Sequence, residues 1–291
     1  MSRIDKEKKV FGVKLVMPAL LISLCVLLFP MVYSIIMSFF DWRLTSPSRS
    51  FIGFGNYLRA LSDFYFQSAI YRNLLFAFIS IPFQLIVGFF VALLLSSGIK
   101  GEKWARILFI MPFFTTPAVV GFNARWIFSS RGILNQLSSG IGLSQVSWLA
   151  DTNFAFIAIL IVDIWQFTPL VCLILLAGLQ GIPTELEDAS AVDGASFFQR
   201  VFYINVPLLR PYFVLVIIMQ MISAFRIFDV PYIMTGGGPA DATMLASMQL
   251  YRTAFSSLNF GYASAQSCII LLFMLVISSI LLIGELRRTK K

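Results

Sequence analysis

The chain has 291 residues, 58% of them apolar and only 12% charged, with 22 Lys and Arg against 14 Asp and Glu (net +8) and no His. A soluble domain carries about 25% charge, so a soluble globular protein, a secreted disulfide scaffold and a nucleic-acid binder are excluded as leading readings. The lack of His also removes His-based acid–base chemistry and His-ligated metal sites, and no metal site is expected.

The charges are unevenly spread: residues 15–40, 73–99, 107–124 and 253–284 carry none. Crossing ~30 Å of hydrocarbon at 1.5 Å per residue takes about 20 residues, so such windows read as membrane helices. The expected fold is an all-α membrane protein, a single permease-like domain over 1–291, with six transmembrane helices at about 13–38, 73–97, 105–127, 153–178, 208–233 and 262–284. The first apolar run is too long for a signal peptide and is expected to stay attached as a span. Cys25, Cys172 and Cys268 all fall in apolar runs and read as small hydrophobes.

Positive residues in short loops mark the cytoplasmic face. With the N-terminus inside, the inner segments hold Arg3, Lys6, Lys8, Lys9, Lys14, Lys100, Lys103, Arg106, Arg200, Arg210, Arg287, Arg288, Lys290 and Lys291, which includes every Lys of the chain. Both termini are therefore expected in the cytoplasm. The longer outer loops contain Phe51-Ile52-Gly53-Phe54-Gly55-Asn56-Tyr57, followed by an amphipathic run to Phe66, and Gly236-Gly237-Gly238-Pro239, a turn that cannot continue a helix.

One inner loop, between the fourth and fifth spans, is longer than the other inner ones. Thr184 with Glu187 and Ser196 with Gln199 have capping-box spacing, Glu185, Glu187 and Asp188 put negative charge in a first helical turn, and Gly194 suits a left-handed helix end. This predicts two short helices joined at Gly194. The small residues Ala189, Ser190, Ala191 and Ala195 permit close backbone approach, which suits either a structured connector or a helix seated in a cleft of another protein.

The run Asp188-Ala189-Ser190, then Gly194, then Ile204-Asn205-Val206-Pro207 resembles the EAA loop of bacterial ABC-importer permeases, with Asp in place of the usual Glu, Ser in place of the second Ala and Val in place of Leu. Phe228-Asp229, Thr235-Gly236-Gly237-Gly238-Pro239 and Thr243, with the Phe51–Tyr57 stretch, are similar to the carbohydrate-type permeases of maltose and glycerol-phosphate importers. The resemblance implies a non-catalytic permease subunit of the bacterial inner membrane. It would work with a second homologous permease, two ATPase subunits and an extracytoplasmic solute-binding protein. Glu185, Glu187, Asp188, Ala189, Ser190, Asp193, Gly194 and Ala195 would form the ATPase-coupling element. No Gly-x-x-x-x-Gly-Lys-Ser/Thr run occurs, so this chain is expected to bind no cofactor, with ATP and Mg held by the ATPases.

Polar groups inside spans need a reason. Asp163 lies about ten residues into its span, roughly 15 Å deep, followed by Trp165 and Gln166, with Gln220 at similar depth on span five. These suit a sugar pathway, or an interhelical polar clamp. Arg226 and Asp229, three apart, are expected on one helix face as a local ion pair or an outer gate; Arg125 and Trp126 read as an interfacial anchor. A self-sufficient secondary transporter or channel is the alternative. It accounts for the spans but not for the capped loop.

Overall fold

The computed structural model describes residues 16–46, 49–98 and 100–289. Residues 1–15, with five of the inner cations and the start of the first expected span, lie outside the described residues, as do Lys290 and Lys291. Among the described residues, four helices are long and apolar enough to cross a membrane: α1 (Val16–Met37), α3 (Phe64–Ser96), α7 (Thr152–Gln180) and α13 (Phe260–Thr289). The total reaches six if each of two sharply bent helix pairs counts as one span.

The first bent pair, α4 (Glu102–Phe114) and α5 (Pro117–Ile127), turns through 94° within the stretch expected to be one span at about 105–127. Pro117 has no N–H to continue the ladder and disfavours helical backbone in the residue before it; Thr115 and Thr116 are accordingly extended, at ψ 133° and 131°. The second pair, α9 (Phe197–Leu208) and α10 (Arg210–Arg226), bends by 66°, with Pro207 on one side and Pro211 on the other. By contrast Pro82, Pro112 and Pro169 remain inside helices.

The chain divides into two compact units, residues 1–67 with 250–271 and residues 68–249 with 272–291. In the first, α1 leads to a two-stranded antiparallel ladder, β1 (Phe40–Asp41) with β2 (Ser50–Phe51), a small departure from an all-helical chain. Phe40 and Phe51 pair edge to face across it. The short helix α2 (Gly55–Ser62) follows, and Asn56 donates to the carbonyls of both Ser38 and Phe40, each at 2.9 Å. Gly261 packs so tightly that an added Cβ would lie 2.1 Å from the Phe40 carbonyl oxygen. The Tyr262 hydroxyl donates to Asp63 Oδ2 at 2.6 Å, with the Arg59 guanidinium 4.3 Å from the tyrosine ring centroid.

The second unit is organised around α7, the most buried of the candidate spans. Asp151 caps it, accepting from the Asn153 and Phe154 N–H groups and so satisfying donors the helix cannot pair itself. One face of α7 packs Ala158, Ile159 and Val162 with Phe76 and Ala77 of α3, and further along Val171, Cys172 and Leu175 pack with Phe89, Ala92 and Val216. The remaining elements of this unit are α6 (Ile133–Gly140), α8 (Thr184–Val192), α11 (Asp229–Thr235) and α12 (Ala246–Tyr251), whose last two residues belong to the first unit.

Helices α3 and α7 approach closely because Gly88 has no side chain: a Cβ there would lie 2.9 Å from Val171 Cγ1 and 3.2 Å from the Cys172 nitrogen. Overpacking of this kind costs about 1–3 kcal/mol. Gly88→Val should therefore lower the melting temperature of the detergent-purified protein. Unchanged melting would mean that the two helices separate without cost.

Candidate functional site

A cavity of about 470 Å³ opens within the second unit, lined by α7, α10 and the start of α11, with Pro117 of α5. Its polar lining comes from Gln166, Gln220, Ser223, Arg226 and Asp229, set among Phe167, Met219 and Phe228. The volume falls in the range of small-molecule sites, and a mainly apolar wall with a few polar groups is their usual make-up.

Two helix breaks shape this cavity. At the α4–α5 break the Thr115 carbonyl is released from the helical ladder and accepts from Gln166 Nε2 at 3.2 Å. Gln166 is almost wholly buried, and its Oε1 has no hydrogen-bond partner among the described residues. At the α10–α11 break Ile227 turns extended. Here the Ala224 carbonyl accepts from Asn73 Nδ2 at 3.0 Å and the Ile227 carbonyl accepts from the Ser247 hydroxyl. Asn73 uses its other end as well, Oδ1 accepting from the Ala246 N–H at 3.1 Å. The break is thereby held to α3 and α12.

Beside the cavity runs a narrow polar crevice lined by Ser80, Gln84, Asp163 and Gln220, sharing Phe167, Gln220 and Ser223 with it. Gln84 Nε2 donates to Asp163 Oδ2 at 2.8 Å and, more weakly, to the Asp163 backbone carbonyl at 3.5 Å. Gln84 Oε1 then accepts from Gln220 Nε2 at 2.7 Å. All three side chains are at most 5% exposed. Helices α3, α7 and α10 are thus joined by a continuous chain of hydrogen bonds.

The residues expected along a pathway from the sequence divide accordingly. Gln166, Gln220, Arg226 and Asp229 line the cavity. Asp163 lies behind it in the crevice, its carboxylate engaged by Gln84. Trp165 points to the exposed side of α7 and is not among the lining residues. The expected Arg226–Asp229 ion pair on one helix face is corrected: Arg226 ends α10 and Asp229 begins α11, and no ion pair joins them among the described residues. The interruption at Ile227–Phe228 replaces the helical turn that would have brought them together. Arg125 donates to the Ile233 carbonyl at 3.4 Å, near the end of α11, while Trp126 is exposed.

Asn73, Ser80 and Gln84 escaped the sequence reading, although they were visible as polar residues in the charge-free 73–99 window. Their spacing of seven and then four places them on one helical face.

At the other end of α7, α8 and α9 are separated by Gly194 at φ +70°. The Ala195 N–H donates to the Ser190 carbonyl at 2.9 Å, which closes α8 in a left-handed cap. Ser196 and Gln199 form a reciprocal capping box at the start of α9. Glu185, Asp188, Ala189, Asp193 and Gly194 are exposed, Ala195 is half-buried and Ser190 is buried; Glu187 lies within α8. The Gly-rich turn at 236–239 also has a physical reason. The Thr243 hydroxyl bonds that of Thr235 at 2.6 Å and the Gly238 carbonyl at 2.9 Å, and Gly236 and Gly237 hold positive φ.

Comparison with known proteins gives one consistent result. Residues 66–289 match the family described as binding-protein-dependent transport system inner membrane component. The trehalose/maltose transport system permease protein MalF of Thermococcus litoralis is 34% identical over 292 residues, covering 99% of this chain and 98% of that protein. The sulfoquinovosyl glycerol transport system permease protein SmoG of Agrobacterium fabrum is 32% identical over 289 residues, covering 99% and 93%. Among solved structures, a chain of a bacterial alginate ABC transporter in complex with an alginate pentasaccharide-bound periplasmic protein shares the fold, with a TM-score of 0.83 over 95% of this chain and 94% of that one at 19% identity. The ABC-permease resemblance read from residues 188–207 and the apolar helices thus converge: this multi-pass membrane chain belongs to the family of binding-protein-dependent transport system inner-membrane components.

Proposed function

We propose that this chain is the permease subunit of an ATP-driven importer for a sugar or related polyol. It forms the translocation path with a second, homologous permease, receives solute from an extracytoplasmic binding protein and couples to two ATPase subunits through the 183–205 loop. The observation that carries this reading is the cavity, whose glutamine carboxamides stand beside aromatic and aliphatic surface. Hydroxyl-rich solutes need such partners: amides for their hydroxyls and apolar surface for their C–H faces. The names of the two permease relatives, which concern trehalose/maltose and sulfoquinovosyl glycerol, support a carbohydrate.

The same α7 that lines the cavity at Gln166 ends at Gln180, about 21 Å away along the helix at 1.5 Å per residue, and leads directly into α8. Exposed Glu185, Asp188 and Asp193 offer α8 to a partner. Movement of an ATPase seated there would reach the cavity through α7, and through α9 and α10. ATP and Mg belong to those partners. Lys100, Lys103, Arg106, Arg200, Arg210, Arg287 and Arg288 support a cytoplasmic loop and termini.

Vesicles reconstituted with this chain, its partner permease, the ATPases and the binding protein should accumulate labelled maltose or trehalose only with ATP and binding protein. Uptake without the ATPases would overturn the reading in favour of a self-sufficient transporter, and failure to carry either sugar would overturn the carbohydrate reading. Gly194→Pro tests the coupling loop, because proline holds φ near −65° whereas Gly194 is at +70°. Uptake should fall by more than about tenfold, corresponding to at least ~1.4 kcal/mol in coupling, with the protein still in the membrane. Normal uptake by the variant would remove the loop from the mechanism.

A further inference from the structure

We infer that Asp163 is a positioning residue that sets which end of the Gln220 carboxamide is offered to the cavity, acting through Gln84 without itself lining that cavity. This deepens the importer reading and rests on it for the identity of the solute.

A carboxamide has a donor end and an acceptor end, and a buried one is oriented by whichever neighbour admits only one of them. Gln84 Nε2 faces two acceptors on α7, the Asp163 carboxylate at 2.8 Å and the Asp163 backbone carbonyl at 3.5 Å. Its amino group must therefore point toward α7, which leaves Oε1 for α10. That oxygen accepts only, so Gln220 meets it with Nε2, at 2.7 Å. The orientation passes along two amides, and Gln220 keeps its carbonyl oxygen for the cavity side.

Gln166 reaches the same polarity independently. Its Nε2 is committed to the Thr115 carbonyl, and its Oε1 is unpartnered. Two glutamines on facing helices thus both leave their acceptor ends uncommitted, that of Gln166 enclosed within the wall, alongside the Asp229 carboxylate, while Arg226 supplies donors at the same cavity. The wall is built to receive solute hydroxyls as donors. Reversing the Gln220 amide would set an N–H where an acceptor stands and leave Gln84 Oε1 without its donor.

The direction of the relay can be rewritten without removing a polar group. In Gln84→Glu the new carboxyl group faces the Asp163 carboxyl group across α3 and α7, so residue 84 is driven off Asp163 and no longer holds a fixed acceptor toward Gln220. In the double variant Gln84→Glu, Asp163→Asn the asparagine amide donates to the new carboxylate, whose other oxygen still accepts from Gln220. The measurement is initial uptake of labelled maltose and of trehalose, at varied concentrations of sugar-loaded binding protein, in vesicles holding the full complex at matched amounts. An unpaired buried polar group costs about 1–3 kcal/mol. Gln84→Glu should accordingly lower kcat by about tenfold or more with KM for the loaded binding protein unchanged, and the double variant should return to within about twofold of the parent. Wild-type rates in Gln84→Glu, or a double variant as slow as the single one, would overturn the relay.

If the parent complex carries neither sugar, the carbohydrate reading fails while the relay is still read from melting of the three purified complexes. Gln84→Glu should then melt lower than the parent, with recovery in the double variant. Equal melting of all three, or no recovery, would overturn it.

Discussion

Inside hydrocarbon no water is at hand to satisfy a backbone carbonyl, so every carbonyl released by a helix break must find a donor within the protein. Much of the second unit follows from that one constraint. The breaks at Thr115–Thr116 and Ile227–Phe228 release carbonyls, and each is met by a side chain from another helix: Gln166 for Thr115, Asn73 for Ala224 and Ser247 for Ile227. The donors are amides or hydroxyls, which carry no net charge into the apolar region. They also hold the broken ends at fixed positions, and the cavity lies between them.

Helix α7 provides the fixed reference against which the broken helices are set. It runs unbroken from Thr152 to Gln180 despite Pro169, is capped by Asp151, and carries both hydrophobic clusters on its flanks. Close approach by α3 depends on Gly88, and close approach by the α9–α10 bend depends on Gly178, where a Cβ would lie 2.6 Å from Leu209 Cδ2. These small residues matter because association of helices in lipid relies on packing and hydrogen bonds rather than on exclusion of water. The polar relay and the glycine contacts are therefore complementary: one aligns α3, α7 and α10, and the other brings α7 near enough to its neighbours for that alignment to be made.

Charge-free windows located α1, α3 and α13, and α7 was expected at about 153–178 in spite of Asp163, so each of the four long helices overlaps an expected span. Their ends were less legible. Helix α3 begins at Phe64, nine residues before the expected start, because Asp63 separates it from α2 and Arg72 does not stop it. Proline content did not distinguish breaks from tolerated prolines: Pro117 adjoins a 94° bend while Pro82 and Pro169 remain within helices. The difference lies in tertiary partners, such as Gln166 across from Thr115, 51 residues away in sequence. Arg226 and Asp229 were assigned to one helical face for the same reason, since a three-residue spacing means a shared face only where the helix continues. The loop at 184–200 was more legible because its determinants are local: Gly194 and the Ser196–Gln199 box act within a few residues.

Amides suit a passage better than charges for a further reason. A carboxylate or guanidinium fully enclosed at this depth would need a permanent counter-ion, and a solute held by such groups would leave slowly. Conduction requires binding strong enough for entry and weak enough for exit. Here the buried carboxyl group, that of Asp163, is withdrawn into the crevice and hydrogen-bonded by Gln84, while the neutral Gln166 and Gln220 line the cavity. The charged Arg226 and Asp229 sit at its exposed border. The carboxylate thus acts on the wall only by orienting an amide. That arrangement gives a neutral polar solute a hydrogen-bonding surface of defined polarity without an ionic trap.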